Sequence, residues 1–154
     1  MTRDDSLALD DQLCYALYAA SNALTRAYRP LLERIGLTYP QYLVMLVLWE
    51  GEPRPVRALA SRLRLPANAL TPLLDRLERA GFVERRRDER DRRVVQVSLT
   101  ASGAALRPAA SEVRGRVACG TGLDPDELDA LRADLMAMVE RMEPEEPPAS
   151  SVDG

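Results

Sequence analysis

The sequence predicts a mainly α-helical protein that carries one β-hairpin. Apolar residues recur with helical spacing up to Ala80, and Gly81 follows as a left-handed helix stop. Two runs typical of strands come next, at 83–87 and 94–99, joined by the charged turn DERDRR. A helix followed by a basic hairpin is the pattern of a winged helix-turn-helix. The helix suits a DNA major groove, and the hairpin, or wing, suits the neighbouring backbone or minor groove.

Positive charge is concentrated in this region. Residues 54–93 hold 12 arginines and six acidic residues, a net charge of +6, whereas the rest of the chain holds 9 arginines and 18 acidic residues, a net charge of −9. A basic middle attracts phosphate and acidic ends repel it, which would orient the protein on a polyanion. A solvated, salt-bridged face is the structural alternative. The confinement of the arginines to a helix and a hairpin favours double-stranded DNA.

Composition excludes several classes of chemistry. The 154 residues contain no His and no Lys, and only two Cys. The absence of His removes Ser-His-Asp, Cys-His and His-metal sites, and two cysteines alone do not build a zinc site. We therefore expect no catalytic residue, no metal and no cofactor. A single domain is expected at this length, with no membrane span, no signal peptide and a cytoplasmic location.

Helical periodicity and turn chemistry predict the other elements. A long helix covers about 10–35 and ends at Gly36, and a capping box over Thr38–Gln41 starts a buried second helix. A short helix over about 56–63 and the helix ending at Ala80 form the helix-turn-helix. Thr100 starts a helix over about 101–117, and Asp124 starts the last one.

The expected organisation is one winged-helix regulator with two terminal segments outside it. Residues 1–8 are predicted to be a flexible N-terminus, and 143–154 a disordered tail rich in Pro, Glu and Ser. The regulator over 9–142 divides into dimerisation helices, at 9–50 and 101–142, and a DNA-binding lobe at 53–100. The terminal helices carry apolar stripes that one compact monomer would leave uncovered, so a homodimer is expected.

The chain resembles the MarR family of winged-helix regulators over roughly 8–142. The matching strings are LDDQLCYALY, AYRPLLERIGLTYPQYLVMLVLWEG, LTPLLDRLERAGFVERRRDERDRR and VSLTASG. Asp91-Arg92-Arg93 followed by VSLT resembles the wing signature of the whole family. The strings LCYALY and LTYPQYLVMLVLWE are similar to the branch that senses organic hydroperoxides.

This resemblance implies a homodimeric repressor whose reduced form holds a palindromic operator. An organic hydroperoxide oxidises a cysteine near the N-terminus, here Cys14, and the dimer releases its DNA. The tyrosines that surround the sulfur in the family match Tyr18, Tyr28 and Tyr39. Cys119 stands where two-cysteine members carry their resolving thiol.

Cys14 is predicted in about the second turn of the first helix. The positive end of the helix dipole favours a thiolate there, whereas Asp10 and Asp11 oppose it. Tyr28 is 14 residues further along the same helix, or roughly 21 Å at ~1.5 Å per residue. If Tyr28 and Tyr39 serve this sulfur, they must therefore come from a partner subunit. A small buried hydrophobic residue is the ordinary alternative for a free Cys.

The predicted DNA contacts lie on the outer face of the recognition helix and on the wing, with Asp91 shaping the turn. Asp75 also faces outward, which puts an acid towards the DNA. The candidate contact residues are Asn68, Thr71, Arg76, Arg79, Arg86, Arg87, Arg90, Arg92 and Arg93.

Three other functions stay open from the sequence. The chain could be a MarR-type repressor released by a small aromatic ligand, a thiol-dependent peroxidase, or an adaptor for protein partners. The basic wing and the lack of an evident base beside the thiol count against the peroxidase. An adaptor would show no salt-dependent affinity for DNA.

Overall fold

A computed structural model describes residues 6–143. The described residues form two compact units that divide between residues 117 and 118, and each is described by itself. A short 3-10 turn at Leu9–Asp11 precedes the first helix. The elements that follow are α1 (Leu13–Glu33), α2 (Tyr39–Glu50), β1 (Arg54–Pro55), α3 (Val56–Arg62), α4 (Ala67–Arg79), β2 (Val83–Arg87), β3 (Val95–Leu99), α5 (Ala101–Ala105), α6 (Arg107–Gly120) and α7 (Pro125–Met142).

The first two helices follow their local sequence signals, with one correction. The helix α1 begins at Leu13 rather than near residue 10, because Gln12 is extended and the preceding acids lie in the 3-10 turn. Gly36 has a φ of +79°, which suits a residue without Cβ. Thr38 and Gln41 form the predicted capping box at the start of α2: each side chain bonds the backbone N–H of the other.

The helix-turn-helix packs on α2 through the apolar side of α4. Leu70, Leu74 and Leu77 are buried at spacings of four and three residues, as the helical pattern predicts. Gly81, with a φ of +80°, ends this segment and turns the chain into the wing. The predicted winged helix-turn-helix is therefore confirmed.

The wing is an antiparallel hairpin with an unpredicted third strand. Val83 of β2 pairs with Leu99 of β3, and Arg87 pairs with Val95, so both strands match the predicted runs within one residue. The two-residue strand β1 adds to the other edge of β3, giving the order β1-β3-β2. Two residues are too short to show any periodicity, so the sequence pattern did not reveal β1.

The helix predicted over 101–117 is two helices, α5 and α6, and this prediction was wrong. Thr100 caps α5 as expected, accepting a hydrogen bond from the N–H of Gly103. Pro108 explains the break, because proline has no N–H to donate to Ala104 and its ring crowds that carbonyl. The chain therefore interrupts its helix at Leu106.

One core connects these elements within residues 6–117. The largest fully buried side chains are Leu32, Val44, Met45, Leu48, Leu59, Leu70, Leu74, Leu77, Val83 and Val97. Trp49 packs against this core and donates a hydrogen bond from Nε1 to the carbonyl of Gly103 (3.0 Å).

The second unit contains the end of α6 and the helix α7. Asp124 and Glu127 form a reciprocal capping box at the start of α7. No residue of α7 is buried, and Leu131, Met136 and Met142 are exposed. Among the described residues, none of the helices combines the length and the apolar character that a bilayer crossing requires.

Candidate DNA-binding surface and candidate redox site

The outer face of α4 presents the polar residues that the sequence selected. Asn68, Thr71, Arg76 and Arg79 are all exposed, and the buried leucines hold the opposite face against the core. A groove between α4 and the wing is lined in part by Thr71, Arg57 and Arg93. Hydrogen-bond donors and positive charge therefore lie on one accessible side of the helix-turn-helix.

Asp75 does not stand as an isolated acid on this face. Its carboxylate accepts a bond from Nη2 of Arg85 at 2.5 Å, and Glu78 accepts bonds from Nε, Nη2 and the backbone N–H of the same arginine. Arg85 belongs to β2, so one guanidinium ties the recognition helix to the wing. These bonds lower the pKa of Glu78, mainly through the side-chain hydrogen bond. Sequence periodicity could not reveal a pairing between residues 10 apart on different elements.

The wing turn is folded around two aspartates. Asp88 accepts bonds from the N–H groups of Arg90 (2.8 Å) and Asp91 (3.2 Å), and its second oxygen accepts Nε2 of Gln96. The backbone bond from Asp88 N–H to the carbonyl of Val94 (2.8 Å) closes the hairpin. These bonds lower the pKa of Asp88, with the backbone bond from Arg90 as the largest cause. Asp88 was not among the residues selected from the sequence, although an Asp at the first position of a turn is a local signal for such bonding.

Asp91 engages one of the predicted DNA-contact arginines. It accepts bonds from the backbone N–H, Nε and Nη2 of Arg93 at 3.1–3.2 Å, which lower its pKa. Arg87 donates to the carbonyl of Arg92 across the turn (2.8 Å). The wing arginines are exposed: Arg86, Arg87, Arg90, Arg92 and Arg93. The turn is thus a small hydrogen-bonded frame that holds several guanidinium groups in solvent.

Cys14 lies in the first turn of α1, closer to the helix start than predicted. Its side chain is exposed, and so are Leu13 and Tyr18, which are 61% and 67% exposed. Tyr18 follows Cys14 by four residues, which places both side chains on one face of the helix. An accessible thiol therefore lies beside two exposed hydrophobic side chains, those of Leu13 and Tyr18.

Three tyrosines cluster at the other end of α1. The ring of Tyr28 lies 5.4 Å from that of Tyr39 and 5.3 Å from that of Tyr42, measured between centroids. Burial raises the pKa of Tyr39, and the charge of Tyr28 raises it further. Tyr28 and Tyr39 were selected from the sequence; Tyr42, the third member, was not.

This tyrosine cluster and Cys14 cannot meet within one chain. Cys14 and Tyr28 both belong to the continuous helix α1, 14 residues apart, which is roughly 21 Å along the axis. Tyr18 accompanies the thiol, whereas Tyr28 and Tyr39 are remote from it. A shared pocket requires the thiol end of one α1 and the tyrosine end of another.

Cys119 lies in the last turn of α6 and is exposed. The chain then turns through a hydrogen-bonded segment, in which Gly122 donates to the carbonyl of Cys119 (3.2 Å) and has a φ of +74°. The Thr121 hydroxyl donates to the carbonyl of Ala118 (2.6 Å). Both cysteines are therefore free thiols that an oxidant can reach.

Comparison with known proteins places these features in a family. The profile described as "MarR family" matches residues 37–95. The chain is 38% identical to the organic hydroperoxide resistance transcriptional regulator of Bacillus subtilis (strain 168), over 90% of this chain and 94% of that protein. The chain belongs to the MarR family. It is a transcriptional regulator of the MarR type.

Two further similarities extend along most of the chain. The HTH-type transcriptional regulator TtmR of Methylorubrum extorquens (strain PA1) is 49% identical over 88% of this chain and 70% of that protein. Reduced AbfR bound to DNA is a solved structure with 34% identity and a TM-score of 0.73, covering 87% of this chain and 94% of the other. The winged-helix architecture predicted from the sequence is that of these MarR-family regulators.

Proposed function

We propose that this MarR-family protein is a homodimeric repressor that releases its operator when an organic hydroperoxide oxidises Cys14. The observation that carries the proposal is the exposed Cys14 thiol beside exposed Leu13 and Tyr18 at the start of α1, in a chain whose Tyr28 lies too far along the same helix to serve it. The similarity to an organic hydroperoxide resistance regulator supports the same assignment.

Dimerisation follows from surface that the single chain leaves open. Leu13 and Leu24 on α1, and Leu131 and Met142 on α7, are exposed in the monomer. Burying a fully exposed side chain of this kind contributes roughly 1.5–3 kcal/mol, so a second copy that covered these partly exposed ones would gain a fraction of that from each. A dimer would also present two copies of α4 to half-sites about 10 base pairs apart, which fits a palindromic operator.

DNA contact is assigned to α4 and the wing. Exposed arginines neutralise phosphate, and the exposed side chains of Asn68 and Thr71 stand where α4 would enter the major groove. The hydrogen-bonded turn around Asp88 holds the wing in one shape before DNA arrives. Little conformational entropy then has to be lost on binding.

The proposed signal is a two-electron oxidation of sulfur. The Cys14 thiolate attacks the terminal oxygen of ROOH; an S–O bond forms, the O–O bond breaks, and the leaving alkoxide takes up a proton to become ROH. The product is a sulfenic acid. Cys119 of the partner then attacks that sulfur, forms a disulfide and releases water, which a thiol reductant reverses. The new bond would shift the spacing of the two recognition helices.

The test follows DNA binding through one oxidation cycle. Reduced protein selects a duplex from a random library, and its affinity is measured before and after stoichiometric cumene hydroperoxide. We expect loss of binding, a covalent dimer on non-reducing electrophoresis, and recovery of both with dithiothreitol. Cys119→Ser should form the sulfenic acid without the covalent dimer. Retained binding by the fully oxidised native protein would refute the proposal.

Cys14→Ser separates the alternatives. The complex of Cys14→Ser with DNA should persist in the presence of cumene hydroperoxide. If an aromatic ligand releases the repressor instead, Cys14→Ser should respond to this compound as the native protein does. Repeated turnover of peroxide with a thiol donor, rather than one equivalent per Cys14, would instead indicate a peroxidase. If the protein selects no duplex from the random library at moderate salt, the result would favour a function as an adaptor for protein partners.

A further inference from the structure

The turn between α3 and α4 contains the one residue other than glycine with a positive φ among residues 6–143. Arg64 has a φ of +55°, in the left-handed region, where the Cβ of an L-residue crowds the following carbonyl oxygen. Glycine is the usual residue in this conformation, because it has no Cβ. The backbone at Arg64 is therefore strained, in the turn of the helix-turn-helix itself.

The hydrogen bonds around Arg64 are those of a Schellman motif, a common way for a helix to end. The backbone N–H of Arg64 donates to the carbonyl of Ser61 (3.1 Å), and the N–H of Leu65 donates to the carbonyl of Ala60 (2.9 Å). Both bonds join backbone atoms, so glycine at position 64 would form them equally well and without the strain. The end of α3 thus gains nothing from an arginine at this position.

Position and charge connect the side chain of Arg64 with DNA. Arg64 is exposed and lies three residues before α4 begins at Ala67. In helix-turn-helix proteins the start of the second helix enters the major groove, so the turn before it lies close to the phosphates that border the groove. The surrounding sequence also favours an anion, because residues 53–74 contain four arginines and no Asp or Glu. A guanidinium in this turn is therefore well placed for a charge-assisted bond to phosphate.

We propose that Arg64 is a further DNA-binding residue, whose guanidinium binds a backbone phosphate beside the groove that α4 enters. The contact positions the recognition helix on the duplex and carries no sequence information. The strain in the turn is the cost of placing a charged side chain where glycine would be more stable. This inference rests on the DNA contact of the proposed function and is independent of the oxidation of Cys14.

Three substitutions of Arg64 separate its charge from its backbone strain. Arg64→Lys keeps the charge and the strain, Arg64→Gln keeps only the strain, and Arg64→Gly removes both. Arg34→Gln, which removes an exposed positive charge at the end of α1, is the matched control.

Two quantities are measured for each full-length variant, the Tm and the affinity for DNA between about 0.05 and about 0.2 M salt. One probe is the duplex that the native protein selects from a random library. The other is a duplex of the same length and unrelated sequence. A phosphate contact should contribute equally to both, whereas a contact with a base edge should contribute only to the first.

Arg64→Gln and Arg64→Gly should lose the same affinity, about five- to tenfold per bound subunit at about 0.1 M salt. The slope of the logarithm of affinity against the logarithm of salt concentration should become shallower by about 0.9 per bound subunit on both duplexes. Arg64→Lys and Arg34→Gln should bind much as the native protein does. Arg64→Gly alone should raise the Tm, by roughly 2–4 °C, because the strain is relieved. One variant is thus expected to be more stable than the native protein and a weaker DNA binder.

Several results would overturn the inference. They are native affinity and slope in Arg64→Gln, an equal loss in Arg34→Gln, and a loss confined to the selected duplex. Weaker binding by Arg64→Gly but not by Arg64→Gln would overturn it as well, because the flexibility of the turn rather than its charge would then be responsible. If the native protein selected no duplex at all, the DNA contact of the proposed function would be refuted, and this inference with it.

Discussion

Arg85 and Asp75 join the wing to the recognition helix, with Nη2 of Arg85 2.5 Å from Oδ1 of Asp75. The same guanidinium reaches Glu78 one turn later on α4, so two carboxylates on this helix share one cation from β2. The arginine side chain is only a quarter exposed, whereas the two acids are about two-fifths exposed. This one side chain therefore links the helix to the wing.

Replacing Arg85 should weaken both folding and DNA binding. Arg85→Met removes the bonds to Asp75 and Glu78 and leaves two unpaired carboxylates facing phosphate. Partial exposure limits the stability loss to about 1 kcal/mol, or roughly 2–4 °C in Tm. We expect DNA affinity to fall about tenfold or more through repulsion. Arg76→Met, which removes an equal charge that forms no ion pair among residues 6–143, should leave Tm unchanged. Equal effects of the two variants would argue against the link between helix and wing.

Glu78 makes the stability of the protein depend on acid pH. Hydrogen bonds from Arg85 hold its pKa in the folded protein below the ordinary value of 4.5. The stability from a lowered carboxyl pKa is present above that ordinary value and is lost as the pH falls through the folded value. The free energy of unfolding, measured with urea, should therefore decline between about pH 5.5 and about pH 3, and Glu78→Gln and Arg85→Met should both make this decline shallower. An unaltered slope in either variant would contradict the assignment.

The sequence was most informative where local signals decide the structure. The capping box of Thr38, the left-handed Gly81 and the two strands of the wing depend on neighbouring residues, and all were confirmed. Pro108 is also a local signal for the break between α5 and α6, which the helical pattern on either side of the proline does not reveal.

Contacts between residues of different elements could not be predicted from periodicity. The pairing of Arg85 with Asp75 joins two elements, and the burial of Tyr42 against Tyr28 joins two others. Helical spacing placed Asp75 on the outer face, as the structure does, yet it carried no information about the cation that neutralises it. The residues proposed to contact DNA or sense peroxide remain predictions until the variants are measured.

Gly103 is expected to tolerate no side chain. A Cβ at this position would overlap the backbone carbonyl oxygen of Phe82 and lie 3.3 Å from Cδ2 of Leu99. Because the obstacle is backbone, α5 would have to move away from the wing. Gly103→Ala should cost roughly 1–3 kcal/mol, the usual range for overpacking. Since Trp49 donates to the carbonyl of Gly103, tryptophan fluorescence should change as well.

Gly115→Ala is the matched control for this substitution. Gly115 lies inside α6, and a Cβ there meets nothing within 4 Å. The change should stabilise the protein by about 0.5–1 kcal/mol through helix propensity alone. Thermal unfolding of the two variants should thus move in opposite directions. A shift of the same sign in both would show that the contact between Gly103 and Phe82 does not constrain α5.

The wing variants separate phosphate contact from turn shape. Arg92→Glu and Arg93→Glu should both weaken DNA binding strongly. The salt slope is the slope of the logarithm of DNA affinity against the logarithm of salt concentration, and Arg92→Ala should reduce its magnitude by about 1, as expected for one lost phosphate contact.

Arg93 differs from Arg92 because three hydrogen bonds join it to Asp91. Asp91→Asn keeps every arginine and disturbs only those bonds. If Arg93 acts through the shape of the turn, Asp91→Asn reproduces the affinity loss of Arg93→Ala with an unaltered salt slope. If Arg93 binds phosphate directly, Asp91→Asn instead leaves binding intact or strengthens it, because one acid has been removed from the wing.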